Sequence, residues 1–274
     1  MSPEARRLRE ALLHRRKRGP RGEGAPRPRR SDGYEFAELR GYVPGDDVRR
    51  IDWAATARAG ALQTRVLFED HSLVLAAVVD ASGSMQVGRK RSLYELACEA
   101  AEAWFELAQA DDRCGRFGDR QSVYATRRGP ASAHVCAFET VVDPRGSLDA
   151  ALHAALVSLP WDAALLIVSD FYDLDAVEPV LRLCSVRFDV TALFARDPWR
   201  DGFPLRGFVA LRDAEDGTAA RLFVTGRSAR RFAAAVAQRE ADVVARLERL
   251  RIRTGVLDER GGAAALAGAF GLPA

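Results

Sequence analysis

Two apolar runs, the second closed by a serine, are no longer than a buried strand. Leu73–Val79 and Ala163–Ser169 each read as a strand covered on both faces. Between them the period changes. Over residues 90–109, Leu93, Leu96, Ala97, Ala100, Ala103, Trp104 and Leu107 fall on one helical face. Short strands follow near 113–117 and 121–126, then helices over 131–140 and 147–158. Residues 174–184 read as a helix and 186–194 as a strand. This βα alternation predicts an α/β fold, a doubly wound and mostly parallel sheet. Downstream, 207–213 and 219–224 flank Glu215-Asp216-Gly217, which is hairpin chemistry. Ser228 can cap a long helix to about Leu250, and 251–257 offers a last strand.

The segment before Leu73 is less regular. Residues 4–16 read as a short basic helix, and 17–33, rich in Arg, Gly and Pro, as a flexible linker. Pro44-Gly45-Asp46 is a turn, with Asp46 or Asp47 capping a helix that points Ile51 and Trp53 inward. Leu62–Glu69 reads as a strand joined to Leu73–Val79 by a hairpin at Asp70-His71. The organisation expected is a basic, flexible arm over 1–33, an N-terminal extension over 34–72, the α/β domain with a C-terminal hairpin and long helix over 73–258, and a tail over 259–274. No internal repeat is present.

Charge sharpens this division. The net charge of +3 averages over a split chain. Residues 1–30 hold eleven basic side chains against three acids, and the remaining 244 residues are net −5. A body of that sign is not a uniformly basic nucleic-acid coat, and 48% apolar residues exclude a disordered chain. The arm could bind nucleic acid or an anionic surface by counterion release, but it has no aromatic residue for base stacking. Cys98, Cys114, Cys136 and Cys184 are too scattered for a disulfide framework or a zinc site, and they read as buried free thiols. His14, His71, His134 and His153 show no HExxH spacing. With no apolar leader and no run of membrane-spanning length, the expectation is a cytoplasmic protein.

The candidate chemistry lies at Asp80-Ala81-Ser82-Gly83-Ser84, directly after one buried strand and before a helix. Ligands of open parallel sheets bind beyond the carboxyl ends of the strands. A carboxylate and two hydroxyls at alternate positions there suit a hard cation such as Mg²⁺, which takes oxygen ligands. Asp170 closes the second buried strand and would emerge at the same edge. Ser147 stands before the 147–158 helix, where its hydroxyl could cap that helix or turn to the same site. Asp80 could likewise cap the helix after Ser84, and Asp173 reads as a cap. Local ion pairs and caps account for Asp46, Asp47, Arg49, Arg50 and Asp52.

These residues resemble the von Willebrand factor A domain and its metal-ion-dependent adhesion site, whose signature is DxSxS with a later Thr and Asp. Asp80, Ser82 and Ser84 match the first motif, Ser147 stands at the Thr, and Asp170 matches the Asp. The chain is more similar still to bacterial proteins of domain-of-unknown-function family 58, in which the stretch seen here as Tyr42–Arg58 (YVPGDDVRRIDWAATAR) precedes such a domain. The likeness covers roughly 34–258. It implies a von Willebrand factor A-like fold and a metal set of Asp80, Ser82, Ser84, Ser147 and Asp170 holding Mg²⁺, with Mn²⁺ or Ca²⁺ as substitutes. It further implies a protein-binding module rather than an enzyme. The partner would offer an acidic residue to the metal, as a MoxR-type AAA+ ATPase or its client in complex assembly or maturation. The competing class is a metal-dependent phosphoesterase or nuclease using Asp80 and Asp170. Against it, no His or Glu lies within the motif segments, and neither GxSxG nor a phosphate loop is present.

Overall fold

The computed structural model describes residues 3–18, 35–43, 48, 51–68, 72–118, 122–125, 128–136, 138, 147–200, 205–214 and 217–272. They fall into two compact units, one of residues 20–72 and one of 1–19 with 73–274.

The smaller unit pairs β1 (Glu35–Gly41) with β2 (Gln63–Phe68) in an antiparallel ladder, with a register shift between Phe36 and Glu38. Residues 62–69 were expected to pair with 73–79; β2 instead pairs with β1, the strand before it. Between the two strands lies α2 (Trp53–Ala59), whose cap is Asp52, accepting from the Ala55 N–H at 2.9 Å. Gly60 closes this helix at φ +67°, a left-handed cap that favours glycine. Trp53 was expected to face inward; as the first residue of a helix of only seven it is 69% exposed. The expected caps Asp46 and Asp47, the Asp70-His71 turn, and Arg49 and Arg50 lie outside the described residues.

In the larger unit, one sheet carries the domain. Its strands are β3 (Val74–Val79), β4 (Arg113–Phe117), β5 (Val123–Tyr124), β6 (Ala164–Ser169), β7 (Asp189–Ala195) and β10 (Arg253–Leu257). Their order is β10-β7-β6-β3-β4-β5, with only the β4–β5 pair antiparallel. Strand alternation explains the unbroken apolar runs. Leu75, Ala77 and Val79 of β3, with Ala164, Leu166 and Val168 of β6, enter one core; Ala76, Val78, Leu165 and Ile167 enter the other. The first core is closed by α1 (Pro3–Arg18), α3 (Leu93–Phe105) and α8 (Gly262–Ala269). The second is closed by α5 (Leu148–Ser158), α6 (Leu174–Arg187) and α7 (Gly226–Arg249). A short helix, α4 (Pro130–Val135), follows β5. The hairpin of β8 (Gly207–Arg212) and β9 (Ala219–Val224) forms as expected, outside the main sheet. The long helix after it begins earlier than expected: Thr225 is its cap, and Ser228 completes a capping box.

Two boundaries differ from expectation. The flexible-arm reading of 1–33 does not hold for residues 3–18, which form α1; residues 19–34 lie outside the described residues. Ala5, Leu8 and Leu12 recur on one face and are buried in the first core. Arg9, on the same helix, is 7% exposed and pairs bidentately with Asp112, which is fully buried. Its guanidinium also donates to the Leu107 carbonyl at 3.0 Å. Asp112 in turn accepts the N–H groups of Leu73 at 2.6 Å and Gln109 at 2.7 Å. One carboxylate thus ties α1 to the residue that opens β3 and to the turn before β4. The expected tail over 259–274 likewise contains α8, whose Leu266 is fully buried.

Removing one partner of such a pair strands a buried charge, which costs about 3–5 kcal/mol. Arg9→Ala should therefore move the urea unfolding midpoint down by a corresponding amount. An unchanged midpoint would mean that α1 contributes nothing to this domain.

A carboxylate and hydroxyl cluster at the switch point of the sheet

The connection leaving β3 runs to β4 on one side, and the connection leaving β6 runs to β7 on the other. The carboxyl ends of β3 and β6 therefore flank the switch point, where open α/β sheets leave a crevice. Asp80 follows β3 and Asp170 follows β6. The Asp80 N–H still donates to the Val168 carbonyl at 2.9 Å, so both residues are set by the ladder itself.

Local turns arrange the rest. The Asp80 Oδ1 accepts the Ser82 N–H at 2.9 Å, closing a short turn. A single 3-10 turn over Ser84–Gln86 follows and drives Met85 fully into the core, while Ser82 and Ser84 remain half-exposed. Their hydroxyl oxygens lie 3.1 Å apart. Beyond them Gly88 bridges back to Ser92, the cap of α3. A Cβ at Gly88 would lie 1.8 Å from the Arg91 carbonyl oxygen, so this return requires glycine.

Across the crevice, the Ser169 hydroxyl donates to Asp80 Oδ2 at 2.6 Å and accepts the Phe171 N–H at 2.8 Å. Phe171 is buried at φ +48°, a left-handed conformation rare for a bulky residue. Asp170 Oδ1 accepts the Tyr172 N–H at 3.0 Å, and Ser84 is hydrogen-bonded to Asp170. Arg239 of α7 donates to the Asp170 carbonyl at 3.0 Å and stacks over the Tyr172 ring, 5.0 Å from its centroid.

Four of the five residues singled out from the sequence are thus drawn together: Asp80, Ser82, Ser84 and Asp170. Ser147 is not bonded to them. It is exposed and caps α5, its hydroxyl accepting the Ala150 N–H at 3.3 Å. Asp173 stands at the start of α6 but makes no side-chain cap bond. Ser169 was missed, because a serine closing an apolar run reads as the polar end of a strand. The adjacency Ser169-Asp170 was its only signal.

Both carboxylates are more than nine-tenths buried. Burial pushes the Asp170 carboxyl up, and the negative charge of Asp80 adds to this. Ser84, the Tyr172 N–H and Arg239 pull it partly back. The donor set consists of hard oxygens around two closely placed acids. It fits a small divalent cation, which would relieve the repulsion that raises Asp170. Among the described residues no group of three His, Cys, Asp or Glu is placed to hold a metal, so any cation site here depends on the hydroxyls. The four cysteines are buried free thiols, and burial pushes those of Cys114 and Cys184 up to about 12. Among the described residues no helix is long and apolar enough to cross a membrane.

Comparison with known proteins gives a family but no activity. The family model described as "Protein of unknown function DUF58" matches residues 38–242. An uncharacterized protein of Mycobacterium tuberculosis H37Rv is 32% identical over 225 residues, covering 77% of this chain and 70% of that protein. An uncharacterized protein of Mycobacterium bovis matches to the same extent. Among solved structures, an aerotolerance-related membrane protein from Bacteroides fragilis aligns with a TM-score of 0.44 at 13% identity, over 73% of this chain and 99% of that one. The conserved hypothetical protein BatB from Bacteroides thetaiotaomicron aligns at 0.39 and 15%, over 66% and 99%.

A prediction follows for the metal-free protein. The folded Asp170 holds its proton more tightly than the unfolded one, whose ordinary value is 3.8. Its contribution to stability is therefore full below that pH and is lost as pH rises through the raised folded value. In chelator, Asp170→Asn should raise the melting temperature at neutral pH and leave it nearly unchanged at pH values below the ordinary carboxylate range. Equal shifts at both would remove the repulsion argument.

Proposed function

The chain belongs to the DUF58 family, and from that premise we propose that it is a divalent-cation-dependent protein-binding module rather than an enzyme. The observation that carries this reading is the convergence of Asp80, Ser82, Ser84 and Asp170 at the switch point. In this reading the sheet is of the von Willebrand factor A type and the cluster is its metal-ion-dependent adhesion site. Asp80, Ser82, Ser84 and Asp170 would hold Mg²⁺, with Mn²⁺ or Ca²⁺ able to replace it. Ser147 is left out of this set, because it is exposed and its hydroxyl caps α5.

The bound cation would supply an electron-poor position open to a carboxylate of the partner. The chain's own residues do the rest. Ser169 fixes the rotamer of Asp80 by donating to Oδ2, and the Ser82 N–H occupies Oδ1. Phe171, left-handed and buried, follows Asp170 directly, and its N–H bonds the Ser169 hydroxyl. Neutral hydroxyls complete the set, so the site adds no negative charge beyond the two acids. The groups hydrogen-bonded to the two carboxylates are serine hydroxyls and backbone amides, which favours binding over proton transfer. The partner we propose is a MoxR-type AAA+ ATPase or its client, engaged in the cytoplasm during assembly or maturation of another complex.

Mg²⁺ should raise the melting temperature of the full chain, and Asp80→Ala should abolish that shift. Ser147→Ala should cost about 0.5–2 kcal/mol of stability as a lost cap while leaving the Mg²⁺ shift intact. Pull-down of a MoxR-type ATPase encoded in the same genome should be lost both in chelator and in Asp80→Ala. Undiminished capture in chelator would overturn the reading. Hydrolysis of generic phosphoesters that disappears in Asp80→Ala would put a hydrolase in its place.

A further inference from the structure

The β8–β9 hairpin presents two unlike faces. The register pairs Phe208 with Phe223, Ala210 with Arg221 and Arg212 with Ala219. Directly opposed residues and their neighbours two positions along share a face, so these six side chains form one surface. All six are exposed, Phe208 at 89% and Phe223 at 61%. The two rings meet edge to face with centroids 4.9 Å apart. The opposite face contains Val209, which is buried, the half-buried Leu211 and Val224, and the exposed Leu222 and Ala220. The inner face is thus covered in part, at Val209, Leu211 and Val224, whereas all six side chains of the outer face are exposed.

A two-stranded hairpin is marginal in water, and a pair of phenylalanines held in solvent adds nothing to the solubility of the chain. The charge on this face limits what could cover it. It carries Arg212 and Arg221 and no acid, and neither arginine makes an ion pair among the described residues. A second copy laid face to face would bring like charges together. The surface is also small. Six residues of two strands span about 20 Å by 10 Å, well short of the roughly 800 Å² per partner of a stable association. A short segment bearing both apolar side chains and carboxylates satisfies the rings and the guanidinium groups together.

We propose that the outer face of the β8–β9 hairpin is a docking surface for an acidic, apolar segment of a partner protein. Phe208 and Phe223 supply the apolar anchor, and Arg212 and Arg221 select for carboxylates. The surface shares no residue with the carboxylate and hydroxyl cluster, so it stands whether or not that cluster takes a cation.

The test uses the full chain in chelator and a fluorescein-labelled peptide of alternating Glu and Leu, followed by anisotropy. The peptide should bind, more weakly as salt rises, and its counterpart with Lys in place of Glu should not. Phe208→Ser with Phe223→Ser should weaken binding by about tenfold or more. Because that pair could also loosen the hairpin, Arg212→Glu with Arg221→Glu provides a second arm that keeps both rings. It should abolish binding of the Glu peptide and permit binding of the Lys peptide. Absence of Glu-peptide binding, equal binding of the two peptides, or affinity unchanged in both double variants would overturn the proposal. So would binding to phosphatidylglycerol vesicles without binding to the peptide, or self-association in sedimentation that vanishes in the phenylalanine variant.

Discussion

Two carboxylates at the carboxyl ends of β3 and β6 cannot avoid each other, and the domain is arranged around that fact. The strands are adjacent and in register, with Val79 beside Val168, so the residues after them must share one crevice. Burial and mutual repulsion then act on the same pair. Among the described residues they are offset by hydroxyls and amides, with no cationic side chain between them. Ser169 and the Ser82 N–H take the two oxygens of Asp80, while Ser84 and the Tyr172 N–H serve Asp170. Arg239 approaches the Asp170 backbone carbonyl instead of closing an ion pair with its carboxylate. A functional account has to explain why two buried acids lie together with no cationic side chain between them among the described residues. The cation-binding reading does so directly.

At the amino-terminal ends of the strands the same problem is solved the other way. Asp112 is as deeply buried as any residue of the core, but it carries a full complement of donors, from Arg9, Leu73 and Gln109. In some proteins a buried ion pair adds little net stability and serves instead to hold one arrangement. Here the arrangement is the docking of α1, a helix remote in sequence from everything it touches. The contrast is informative: the acid at the amino edge has an arginine as partner, whereas among the described residues the acids at the carboxyl edge have only hydroxyls and amides.

Both ends were unequally legible in the sequence. The strands were readable because each is covered on both faces and so lacks polar interruptions. Asp80, Ser82, Ser84 and Asp170 were readable because they sit where such strands stop, and a DxSxS spacing in a turn turns its hydroxyls toward one point. Ser147 was not resolved by that logic, since one hydroxyl before a helix suits a cap as well as a ligand, and the cap is what forms. What pairs across long separations was invisible. Arg9 and Asp112 are 103 positions apart, and Arg9 reads as one more charge in a basic segment. Trp53 misled because bulk and aromaticity suggest a core, while the first residue of a short helix has little to pack against. The small residues of α8 gave no periodic contrast, although Leu266 is fully buried.

The charge split of the chain also acquires a different meaning. Segment sums separate a basic head from a mildly acidic body, yet Arg9 of the head is spent on a buried acid of the body. The electrostatic contrast that matters lies within the larger unit. One region gathers two acids and three hydroxyls in a crevice, and another spreads two arginines and two phenylalanines over an open sheet face. In the readings proposed above, the first would take a cation and the second a ligand that brings carboxylates with it. On those readings, a partner that engaged both would present acidic groups to each, one through a bridging cation and the other directly. Such a double requirement would discriminate between acidic partners far more sharply than either surface alone, because a carboxylate in the wrong place gains one contact and forfeits the other.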